Sequence, residues 1–169
     1  MLRTLSFVLL AVAACADAPQ SHVTVDILPA SNVVQPTVSA SGGVRWLNFR
    51  VEAVIRNQGP ESVFLPFCAV SIELEEGSRW ITAWWPLCTL IAVPPRELPA
   101  GQELHVTLPI SAALNGPGGP EWRSSRIGGR YRLVFGMLQQ GSGAHVSAPL
   151  RPNRRVSSPF VLEEPYGSN

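Results

Sequence analysis

Histidine, aspartate and glutamate are the side chains that most often do chemistry, and here they are scattered. His22, His105 and His145 stand far apart, and none has a second histidine at the spacing a metal site uses. The only aspartates are Asp17 and Asp26, so a Ser-His-Asp arrangement would have to recruit Asp26 or a glutamate. No Gly-x-Ser-x-Gly elbow offers a nucleophile. Glu73, Glu75 and Glu76 have the composition of a calcium site, but alternation along this stretch puts Glu73 and Glu75 on a solvated strand face. The glycine-rich stretches 116–119 and 141–143 do not follow a strand and open a helix, as phosphate loops do. The expectation is therefore no cofactor, no metal and no enzyme; a hydrolase using His105 or His145 is the outlying alternative.

Two features carry binding chemistry instead. Residues 52–121 hold eight Glu and three Arg, whereas 122–162 hold seven Arg and no acid. Arg123, Arg126, Arg130, Arg132, Arg151, Arg154 and Arg155 either pair with the earlier acids across strands or form a basic patch. Such a patch would suit anionic lipid, polysaccharide or an acidic partner. The second feature is Trp84-Trp85. On a strand these neighbours point to opposite faces, which leaves one indole outside the core; an irregular loop pinned by Cys88 would bury both. Tryptophan is enriched in binding hot spots, so the segment between Cys68 and Cys88 is the expected interaction surface, with Pro86 stiffening it.

The N-terminus says where such a surface would work. Arg3 gives one positive charge, and residues 5–14 are apolar or small except Ser6. Ten residues span about 15 Å as a helix, half a bilayer core and too short for a permanent span. The run ends in Val12-Ala13-Ala14-Cys15, which resembles the lipobox of bacterial lipoproteins. The resemblance implies that 1–14 is a signal peptide, that Cys15 carries the lipid, and that 15–21 is a tether. Ala16 after the cysteine implies the outer membrane where the host has one. Ordinary secretion, with cleavage a few residues later, is the other reading. Setting a lipidated Cys15 aside leaves Cys68 and Cys88, an even pair in an oxidising compartment. A bridge would close about twenty residues, worth roughly 3 kcal/mol; two buried thiols are the alternative.

The elements that position these residues are β-strands. With 169 residues the chain has room for one domain, and 46% hydrophobic content is enough for a core. Sixteen Pro and fourteen Gly punctuate it as turns punctuate all-β folds. A net charge of +1 gives no pull towards nucleic acid, and every one of its thirteen basic residues is arginine. Alternation predicts strands over 22–28, 48–56, 62–66, 69–75, 79–81, 102–110, 131–135 and 156–162, with a short helical turn over 111–115. Leu104, Val106 and Leu108 should face inward, as should Tyr131, Leu133 and Phe135.

The order of turns and aromatics can then be compared with known domains. It runs through Arg56-Asn57-Gln58-Gly59, Arg79-Trp80, Leu98-Pro99-Ala100-Gly101 and Gly128-Gly129-Arg130-Tyr131-Arg132-Leu133. Over 44–162 it resembles bacterial immunoglobulin-like domains of lipoproteins, and is similar to the bacterial intracellular proteinase-inhibitor domain. The resemblance implies an all-β fold, a single immunoglobulin-like β-sandwich of seven or more strands over 22–162, followed by a flexible tail at 163–169. It also implies that Tyr131 is buried as a tyrosine corner, its hydroxyl bonding upstream backbone. Leu133 stands where antibody domains carry a cysteine, which sets this chain apart from that type. The expected protein is a lipid-anchored, extracytoplasmic, non-enzymatic binding or structural domain at the cell envelope. Its partners would be the membrane, through Cys15, and an unidentified protein or envelope component. A proteinase inhibitor is the alternative within binding proteins.

Overall fold

The computed structural model describes residues 25–66, 68–88, 94–115, 118–140 and 147–166. Residues 1–14, Cys15, the tether, His22, the loop 141–143 and His145 lie outside the described residues. Three short strands come first: β1 (Val25–Pro29), β2 (Val33–Val34) and β3 (Thr37–Ser41). Gly42 and Gly43, with φ of 60° and 79°, then make a two-residue turn that few side chains would accept. It leads into β4 (Val44–Asn57), on which Leu47, Phe49, Val51, Ala53 and Ile55 are buried while Arg45, Arg50, Glu52 and Arg56 are exposed. This period of two, sustained over fourteen residues, makes β4 the axis of the first sheet.

Next come β5 (Val63–Leu65), β6 (Val70–Glu76), β7 (Arg79–Trp84) and β8 (Arg96–Leu98). They are followed by β9 (Glu103–Ala113), β10 (Gly129–Phe135) and β11 (Leu138–Gln140). The last are β12 (Ser147–Pro149) and β13 (Phe160–Leu162), separated by a 3-10 turn at Pro152–Arg154. Strand β9 runs antiparallel along one edge of β4, from Trp46↔Ala113 to Arg56↔Glu103. The other edge carries β1 and β3 end to end. Between them β2 leaves to pair in parallel with β13, in a second sheet of order β2-β13-β10-β6-β7. A third sheet has the order β12-β11-β5-β8.

The buried faces of these sheets share one apolar cluster that includes Leu47, Val51, Ile55, Ile72, Leu74, Leu133 and Leu162. Aromatic rings run across it: Phe49 meets Trp122 edge-on at 6.0 Å, Trp122 meets Tyr131 at 5.6 Å, and Tyr131 meets Phe160 at 6.3 Å. The fold is thus all-β, and no helix among the described residues could cross a membrane.

Three expectations change. The helical turn over 111–115 does not form: Ala112 and Ala113 are buried against β4 opposite Leu47 and Trp46, so β9 simply continues. The closing strand is shorter than 156–162. Val156 makes only an isolated bridge to Val134, and Pro159 has no N–H to donate. Residues 163 and 164, expected in a free tail, are tied down. The Glu163 N–H donates to the Val34 carbonyl at 3.1 Å, and the Glu164 carboxylate accepts the Gly128 N–H at 2.9 Å.

Candidate functional site

The segment after β7 holds part of the expected binding surface. The pairing of β6 with β7 sets Ile72 opposite Trp84, beside a bulge between Ile72 and Glu73. Trp84 therefore follows Ile72 into the core and is 5% exposed, whereas Trp85 turns outward and is 40% exposed. As a partner-binding residue Trp84 is corrected: its ring is part of the core. Its Nε1 finds no hydrogen-bond partner.

Beyond Trp85 come Pro86, the exposed Leu87 and Cys88. Cys88 is bridged to Cys68, with Cα atoms 6.0 Å apart and a sequence separation of 20. The bridge bears out the pairing expected of these two cysteines. Cys68 has a φ of 65°, a left-handed backbone that costs a side-chain-bearing residue about 1 kcal/mol. A covalent cross-link at that residue holds it there. The disulfide thus fastens the chain on both sides of Trp85: β7 on one, Cys88 on the other.

Three of the seven arginines are engaged within or beside the second sheet. Strand β10 lies beside β6, so Arg132 donates to Glu73 at 2.6 and 2.8 Å and Arg130 to Glu75 at 2.8 Å. Arg132 also lies over Trp80, its guanidinium carbon 4.4 Å from the ring centroid. Arg126 donates to the Glu75 carbonyl at 2.8 Å. These three serve the second sheet, which corrects their place in a free basic surface. Arg151 is exposed, and the side chain of Arg154 lies outside the described residues.

Arg123 and Arg155 are different. The Arg123 N–H donates to the Ala83 carbonyl at 2.8 Å, which lays the residue along β7. Its guanidinium carbon then sits 3.5 Å from the centroid of the Trp85 ring. Arg155 lines a surface pocket of about 310 Å³ together with Trp85, Pro86, Ser71 and Val134, and its Nε is buried without a partner. Val134 was the overlooked signal in the sequence: it is apolar, yet it follows Arg130 and Arg132 in the outward phase of β10. On the other side of Cys68 a second cleft, about 200 Å³, is lined by Leu65, Leu104, Val106, Leu108, Phe135 and Met137. Val106 and Leu108, expected inside, are half-buried along it.

Tyr131 meets its expectation. It is fully buried, and its hydroxyl donates to the Ile127 carbonyl at 2.6 Å. Burial pushes its phenol well above the ordinary range. The Trp122 Nε1 donates to the Arg126 carbonyl at 3.1 Å, so both rings fasten the 122–128 segment that delivers Arg123.

Of the three histidines considered for hydrolysis or metal binding, His105 is the one within the described residues. His105 is exposed on β9, its Nε2 3.2 Å from Glu103, which also accepts from Arg56 at 3.0 Å. The Arg56 hydrogen bond, and then His105, holds the Glu103 carboxyl below its usual range. Among the described residues no three His, Cys, Asp or Glu side chains converge as a metal site would require.

No protein-family model matches the chain, and no curated protein matches it. Among solved structures, the X-ray structure of a Northeast Structural Genomics Consortium target is similar at a TM-score of 0.40 and 16% identity. The alignment covers 86% of this chain and 87% of that one.

Proposed function

We propose that this chain is an immunoglobulin-like β-sandwich held outside the cytoplasm by a lipid on Cys15, and that it acts as a non-enzymatic binding domain through the Trp85 surface. The observation that carries the reading is Trp85 itself. The 40% of this indole left exposed gains nothing for folding, yet the ring is fixed by a stacked arginine and a neighbouring disulfide. A rigid exposed aromatic loses little freedom when a partner covers it, which is what a hot spot needs. The buried Tyr131 hydroxyl on upstream backbone and the split of β1–β3 between two sheets support the immunoglobulin-like architecture. A disulfide is consistent with an oxidising compartment and so supports export.

Two measurements test the reading. Metabolic labelling with palmitate should mark the native protein and be abolished by Cys15→Ala; labelling that survives the substitution removes the anchor. Pull-down from envelope extracts should lose its partners with Trp85→Ala while the variant stays folded. Retention of every partner by folded Trp85→Ala removes the surface.

A further inference from the structure

The pocket beside Trp85 has a definite chemistry. Trp85, Pro86, Val70 and Val134 supply apolar walls, Ser71 a hydroxyl, and Arg155 a guanidinium. Arg155 is held by its backbone: its carbonyl accepts the Phe135 N–H at 2.8 Å, and its N–H donates to the Pro152 carbonyl at 3.3 Å. Its position is thus fixed while its Nε is buried with nothing to donate to. No acid lines the pocket. Glu73 and Glu75, on the same outward face, are already held by Arg132 and Arg130. Arg123, stacked on Trp85, likewise has no carboxylate partner among the described residues. Arg155 thus lines the same pocket as Trp85, and Arg123 stacks on that indole.

We propose that this pocket binds a carboxylate of a protein partner, which accepts hydrogen bonds from the Arg155 guanidinium, with an apolar side chain of that partner against Val70, Val134 and Pro86. The proposal rests on the Trp85 surface being the binding surface, and it names what that surface takes. Charge complementarity asks for an anion, and a planar guanidinium suits a carboxylate. The apolar walls choose the class of molecule. A uronate would bring several hydroxyls into a pocket whose side chains offer Ser71 and one guanidinium, leaving most of them unmatched. A peptide segment satisfies its own polar groups at the rim and buries only the side chain. The carboxylate comes from an acidic side chain or from a chain terminus.

The test uses the full-length protein in detergent and three fluorescent hexapeptides alternating with leucine. One carries glutamate with an amidated end, one glutamine with an amidated end, and one glutamine with a free carboxyl end. Anisotropy should show the glutamate or free-carboxyl peptide binding about tenfold more tightly than the amidated glutamine peptide, the worth of a charge-assisted contact. Whichever of the two wins identifies the source. Arg155→Gln should erase the preference with the circular dichroism unchanged; Arg155→Met serves if the first variant unfolds. The glutamate–glutamine comparison on the unaltered protein stands whatever the variants do. Equal binding by all three peptides, no binding at about 1 mM, or a preference that survives Arg155→Gln overturns the proposal. So does displacement of the peptides by an oligogalacturonate at lower concentration, which would make an anionic sugar the ligand. In pull-down, partners lost with Trp85→Ala but kept with Arg155→Gln would sink the carboxylate assignment alone. Partners kept with Trp85→Ala would sink the surface itself.

Discussion

Tyr131 does two jobs at the residue scale, filling the core between Trp122 and Phe160 and fastening the Ile127 carbonyl. Tyr131→Phe keeps the first and loses the second, so urea titration should show a loss of about 1 kcal/mol, the net worth of one hydrogen bond. The same residue sets a pH limit. Because burial raises its folded pKa, the unfolded phenol ionises first, near its ordinary value of about 10, and the unfolded state then binds fewer protons. The stabilisation is complete below that pH and is lost as pH rises towards the folded value. With no lysine in the chain, few other groups titrate in that window. Stability should therefore fall from about pH 10 upward in the native protein and fall less steeply in Tyr131→Phe. Equal slopes would mean that the hydroxyl is not protected.

Asn57 shows what matters at the element scale. It ends β4, is 1% exposed, and satisfies its whole amide. Its Nδ2 donates to the carbonyls of Glu61 and Leu98 at 2.8 and 3.0 Å, and its Oδ1 accepts the Gly59 N–H at 3.1 Å. It thereby joins the end of β4 to the turn before β5 and to β8. Asn57→Ala strands three backbone groups and should cost about 3 kcal/mol in chemical denaturation; a loss under about 1 kcal/mol would mean that water replaces the amide. In the sequence Asn57 looked like an ordinary turn residue, because its partners at 61 and 98 are brought together only by the β5–β8 pairing. Strand β4 itself was legible, since its alternation persists long enough to fix a period, whereas the two residues of β2 hold no period at all. The opposed faces of Trp84 and Trp85 were legible from the same rule. Which ring went inside depended on the register that sets Trp84 opposite Ile72, and local sequence does not encode that register. The arginine pairings and the pocket stayed hidden for a related reason: they join β6, β7 and β10 with residue 155, and only the sheet order makes those segments neighbours.

For the whole molecule, the disulfide is the only covalent cross-link among the described residues, and it encloses β6 and β7. Closing a twenty-residue loop removes freedom mainly from the unfolded chain, so Cys68→Ser with Cys88→Ser should lower stability by about 3 kcal/mol. Comparing urea midpoints of that variant and the native protein checks it. A midpoint unchanged by the double substitution would mean that the segment is held by its packing alone. The fastening of Asn57 has one more consequence, a mechanical one. Any pull on the chain ahead of Val25 enters the described fold at the Val25↔Asn57 pair, the first rung of β1 on β4. Asn57 is the residue whose amide is anchored to two further strands' connections, so tension at that end is spread at once into β5 and β8 rather than peeling β1 from a loose strand end. Behind β1, the next grip on the chain is β2, which is bonded into the other sheet beside β13. A chain held from that end would thus resist detachment in two stages, one in each sheet.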